Sequence, residues 1–103
     1  MKTSESTLKG AGKLAQDNLK RAGLGTYVRG VRISPYTDSD GEEAVRVVVT
    51  LAENTPTEER RYPRLWRVED AIRTALRKKA ITLWPYFWFR TPSELRQAPL
   101  CEA

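Results

Sequence analysis

The sequence predicts a small α+β fold: a three-stranded sheet, made of a hairpin plus a strand that follows a crossover helix, with helices packed on one face in the order α-β-β-α-β-α. Three stretches lead there. Val45, Val47, Val49 and Leu51 alternate with Arg46, Val48 and Thr50, the period-2 signature of a strand with one buried face. Leu65, Val68, Ala71, Ile72, Ala75 and Leu76 recur at three- and four-residue spacing, the period of an amphipathic helix. Ile81 to Thr91 gathers aromatic residues on both sides of a pleat, with Trp84, Tyr86 and Trp88 on one side and Leu83, Phe87 and Phe89 on the other. Such a strand is either buried on both faces or shows one aromatic face to a partner.

Taken in order, residues 1–12 are rich in Ser, Thr, Lys and Gly, and Gly10 and Gly12 interrupt any early helix, so a flexible arm is expected. From Lys13 a short amphipathic helix follows, its stripe formed by Leu14, Ala15, Leu19 and Ala22 and extendable backwards through Leu8 and Ala11. Asp17 can meet Arg21 on it, and Gly23 stands where a left-handed cap would end it. Thr26 to Ser34 reads as a first strand, stopped by Ser34-Pro35, with Tyr36 to Glu43 as a loop that turns at Asp40-Gly41. The Val45 strand should pair with it antiparallel. Glu53 to Glu59 is a polar loop, and Pro63 suits the first turn of the main helix, whose end is marked by Arg77, Lys78 and Lys79. Pro85, which cannot donate to a ladder, places the aromatic strand at an edge or a bulge unless pairing begins only at Tyr86. Thr91-Pro92-Ser93-Glu94 has the form of a capping box and opens a short last helix through Gln97. One domain over residues 13–98 and a tail at 99–103 result.

Composition bounds function. A chain of 103 residues with 40% apolar and 30% charged residues suits one folded core. The net charge of +5 favours acidic partners: nucleic acid, an anionic membrane surface or an acidic protein patch. The lone Cys101 permits no internal disulfide and no cysteine metal site, which points to a reducing cytoplasm. No apolar run is long enough to span a membrane or to serve as a signal core.

With no histidine, the commonest general base and metal ligand are missing, and nucleophilic triads that rely on one are excluded. The carboxylates gather instead in loops, Asp38, Asp40, Glu42 and Glu43 in one and Glu53, Glu58 and Glu59 in another. Neither a calcium loop nor a phosphate-binding glycine loop is complete, so no enzyme activity, metal or cofactor is expected. No GxxG motif joins two helices and no RNP-type aromatic signature is present, so the sequence resembles no particular RNA-binding family.

Two surfaces remain as candidates. Arg60, Arg61, Arg64, Arg67, Arg73, Arg77, Lys78 and Lys79 face only Glu69 and Asp70 within their segment, a local excess larger than the net charge of the whole protein. It reads either as a phosphate-tracking ridge or as a solvated helix face. Trp84, Tyr86 and Trp88, with Arg90 beside them and Arg29 or Arg32 on a neighbouring strand, can stack bases while the arginines hold phosphate. The competing reading is core, the ordinary fate of large aromatics in a small chain. The expected function is a small basic binding module, for nucleic acid of any sequence or as an accessory of a nucleic-acid machine. The alternative is an adaptor or inhibitor of the kind carried by mobile elements, docking on an acidic protein surface, or a self-assembling homo-oligomer.

Overall fold

The structure, a computed structural model, describes residues 4–98. It has the element order read from the sequence: α1 (Glu5–Arg21), β1 (Val28–Thr37), β2 (Glu43–Leu51), a 3-10 turn (Thr57–Arg60), α2 (Arg64–Lys78), β3 (Trp84–Arg90) and α3 (Pro92–Gln97). The tail at 99–103, Cys101 with it, and residues 1–3 lie outside the described residues.

β2 is the middle strand, antiparallel to β1 and parallel to β3. Its alternation decides the layering. Val45, Val47, Val49 and Leu51 join Val31 and Ile33 of β1, Leu8, Ala11, Ala15 and Leu19 of α1, and Val68, Ile72, Ala75 and Leu76 of α2 in one core, against which Phe87 and Phe89 of β3 also pack. Both long helices therefore cover the same face of the sheet. Each fully buried Val or Leu contributes about 1.5–3 kcal/mol relative to exposure.

Three sequence expectations are corrected. Residues 5–12 are not a flexible arm: α1 begins at Glu5, capped by the Ser4 hydroxyl, which accepts from the Thr7 N–H at 3.2 Å. Tertiary packing outweighs the cost of Gly10 and Gly12, because Leu8 and Ala11 are buried and Gly12 lets α1 approach β1 so closely that a Cβ there would lie 3.0 Å from the Val31 carbonyl oxygen. Second, Ser34-Pro35 does not stop β1, which continues to Thr37. As an edge strand it has no ladder on its outer side, so a missing N–H is tolerated there. Tyr36 thus belongs to the sheet and not to the loop. Third, Arg21 donates to Asn18 Oδ1 at 2.7 Å rather than meeting Asp17. Pro85 sits in β3 at the opposite edge, one of the two places its missing donor allowed.

Both long helices end in the same way. After α1, Leu24 N–H donates to the Leu19 carbonyl and Gly23 N–H to that of Lys20, with Gly23 at φ +72°. After α2, Ile81 N–H donates to the Leu76 carbonyl and Ala80 N–H to that of Arg77, but the left-handed position is held by Ala80 at φ 57°. Leu76 and Ile81 are both buried, supplying the apolar contact that accompanies this motif and offsetting the strain at Ala80.

Two substitutions test this packing by denaturant unfolding. Ala80→Gly should raise stability by about 1 kcal/mol, because the left-handed conformation no longer crowds a Cβ. Gly12→Val should lower it by ~1–3 kcal/mol by forcing α1 away from β1, whereas Gly10→Ala, whose Cβ would meet the Lys79 side chain at 3.7 Å, should raise it by roughly 0.5–1 kcal/mol.

Candidate functional site

The register of the sheet fixes which side chains share the face turned away from α1 and α2. Across the three strands its rows are Gly30, Thr50 and Arg90; Arg32, Val48 and Trp88; Ser34, Arg46 and Tyr86; and Tyr36, Ala44 and Trp84. Four aromatic and three arginine side chains occupy these rows, and no carboxylate does. The pleat of β3 is thus divided, with Phe87 and Phe89 serving the core and Trp84, Tyr86 and Trp88 the opposite face.

Tyr36, Tyr86 and Trp88 form a cluster. The Tyr36 ring meets Tyr86 and Trp88 edge-on, each at 5.4 Å between centroids, and Tyr86 lies 6.5 Å from Trp88. Arg46 underlies them, its guanidinium 4.9 Å from the Tyr36 ring and 5.1 Å from that of Trp88. It is only 6% exposed. Arg46 is therefore a support for the cluster, while Tyr36, Tyr86 and Trp88 remain partly exposed, Arg32 is exposed, and Trp84 is 63% exposed. At one end the Tyr86 hydroxyl donates to Asp38 Oδ2 at 3.1 Å. This bond raises the pKa of Tyr86. The Asp38 carboxyl is held low, chiefly by the Glu42 N–H and further by the Tyr86 hydroxyl and the Asp40 N–H. Asp38, with the acidic β1–β2 turn around it, is a positioning group for Tyr86.

The cations of the predicted ridge have separate fates. Arg60 donates to both carboxylate oxygens of Glu94, at 3.1 and 3.0 Å, and to the Phe89 carbonyl at 3.3 Å, tying the 3-10 turn to the end of β3 and the start of α3. Arg64 Nε donates to Glu59 at 2.7 Å. Arg73 pairs with Glu69 at 3.5 Å and lies over the Phe87 ring at 5.1 Å. Arg61, Arg67, Arg77, Lys78 and Lys79 are exposed, and among the described residues none of them forms an ion pair. Because α2 lies on the core side of the sheet, this set does not share the face of the aromatic row, although at the β3 edge Arg77 and Trp84 line one cleft. Arg32 and Arg90 do lie with the aromatic row; Arg29 sits at the bulge between Val28 and Gly30.

Two members of the cluster were not among the residues singled out from sequence. Tyr36 was hidden by the apparent strand stop at Pro35. Arg46 was legible as outward-facing in the alternation of β2, and nothing local marked it as an aromatic support.

Among the described residues no group of acidic or cysteine side chains could hold a metal, and no helix is long and apolar enough to cross a membrane. Comparison with family models, with curated proteins and with solved structures gives no match.

The Arg60 contact is testable through pH. Arg60, and then the Thr91 N–H, hold the Glu94 carboxyl at about 2, against an ordinary value of 4.5. The folded state favours the charged form, so this contribution is fully present above pH 4.5 and fades as pH falls toward about 2. Glu94→Gln should lower stability at neutral pH and flatten the loss between those limits in urea titrations. An acid limb identical to that of the parent protein would refute the assignment.

Proposed function

We propose that this protein is a non-enzymatic module that binds single-stranded nucleic acid, with little sequence preference, on the sheet face opposite α1 and α2. The observation that carries this reading is the co-location, on rows free of carboxylates, of Tyr36, Trp84, Tyr86 and Trp88 with Arg32 and Arg90. Every base has a π-face, so a row of partly exposed rings accepts unpaired bases of any identity, and flanking arginines take the phosphates. A sheet face suits single strands better than duplex, since no helix here carries the features of a major-groove reader.

Rigidity supports the same reading. Arg46 beneath the rings and Asp38 at the Tyr86 hydroxyl fix the cluster before a ligand arrives, which lowers the ordering cost of binding. Phosphate contacts fall to Arg32 and Arg90, which share the face of the rings, whereas Arg60, Arg64 and Arg73 of the predicted ridge are engaged within the fold.

A second reading, docking on an acidic protein surface, draws on Tyr62 and Trp66, which are 65% and 53% exposed close to Arg61 and Arg67 at the start of α2. Tyr, Trp and Arg are the residue types enriched at interface hot spots.

Fluorescence polarisation with random single- and double-stranded oligonucleotides at roughly 50 and 200 mM salt separates the two readings. The expected result is preference for single strands, with affinity falling steeply between those salts. Trp88→Ala and Tyr36→Ala should each cost ~1–3 kcal/mol. Arg32→Gln should reduce the slope of log affinity against log salt by about 0.7, and Arg60→Gln should leave binding unchanged while circular dichroism confirms folding. Absence of binding at the lower salt would sink this function and leave the Tyr62 and Trp66 surface as the one to pursue, with light scattering as the measure of self-association.

A further inference from the structure

At the β3 edge, between the end of α2 and the first residues of β3, lies a cleft of about 400 Å³. Its floor is apolar, from Leu76, Ile81, Leu83 and Pro85; Trp84 lines it, and Arg73 and Arg77 stand on the α2 side. Among the described residues no carboxylate lines it. A cleft of this size with a mostly apolar lining and a few convergent polar groups is the usual form of a small-ligand site.

Resting on the function proposed above, we infer that this cleft is a nucleotide subsite at the end of the aromatic row, taking the outermost base of a single strand against Trp84 and the phosphate of that nucleotide on Arg77. Trp84 follows Tyr86 and Trp88 on the same side of β3, at two-residue steps of about 7 Å. It is far more exposed than a core residue, so its ring is available for stacking. The two arginines divide the work. Arg73 is paired with Glu69 and lies over Phe87, which fixes it as a wall of the cleft. Arg77 is exposed and donates to the Thr74 hydroxyl at 3.0 Å, a neutral partner that leaves its charge uncompensated. The Ala80 turn joins α2 to β3 and itself lines the cleft. The cleft thus carries the ligand path from the sheet face around the β3 edge to the end of α2, where Lys78 and Lys79 extend the positive field.

Labelled oligo(dT) and oligo(U) series from about 2 to about 12 nucleotides, measured by fluorescence polarisation, test this. Trp84→Ala and Arg77→Gln should each weaken binding of the longest oligonucleotides roughly tenfold and leave the shortest unaffected. The length at which affinity stops rising should shorten by about one nucleotide, and Trp84→Phe should restore it. Trp88→Ala should weaken every length. Equal loss at all lengths, or no loss, for Trp84→Ala in a protein that does bind would overturn the subsite alone. A parent protein that binds neither series would overturn the function and the subsite together. The tighter of the two series identifies the strand chemistry, and either supports the subsite.

Discussion

The side chains of Val45, Val47 and Val49 are fully buried between two helices and the neighbouring strands, while the backbone that carries them is hydrogen-bonded on both sides. That central position of β2 is the constraint on which the other features depend. Because the side chains of a strand alternate, committing one face of β2 to α1 and α2 commits Ala44, Arg46, Val48 and Thr50 to the other. The register then carries the same division outward to β1 and β3. A slip of one residue would bring Arg46 into the core and expose the valines, so the division is strongly held.

The consequences are clearest in β3. Its two apolar sides serve different ends: Phe87 and Phe89 complete the core, and Trp84, Tyr86 and Trp88 lie where no long helix covers them. Burying Arg46 below the rings costs desolvation, which stacking on Tyr36 and Trp88 offsets. The result is a preformed aromatic surface whose support is cationic. Arginines elsewhere do a different job. Arg60 joins the 3-10 turn to the β3–α3 junction, distant in sequence, through Glu94 and the Phe89 carbonyl, and so holds the end of the sheet in place.

Much of this was legible in the chain. The alternation of β2, the spacing of α2 and the Thr91–Glu94 capping box each depend on neighbours a few residues away, and all three stand in the structure as read. Gly23 likewise announced the end of α1, whereas the identical turn after α2 carries Ala80 and gave no local sign. Local rules also misplaced two boundaries. Gly10 and Gly12 argued against a helix that packing against β1 sustains, and Pro35 argued for a strand end that an edge position does not require. Tyr36 was lost to the site by that second error.

Sequence alone determined the element order, the buried faces of β2 and α2 and the positive charge, because these follow from short-range periodicity and composition. Tertiary structure decided which aromatic side of β3 is core and which cations are already spent. A ridge of eight cations in sequence became ion pairs of Arg60, Arg64 and Arg73 and a separate exposed set; the Arg73–Glu69 pair follows from spacing along α2, whereas Glu94 and Glu59 are brought to Arg60 and Arg64 by folding. The aromatic face likewise exists only once β1 and β3 flank β2, because Tyr36 and Trp88, far apart in the chain, meet across a strand that separates them.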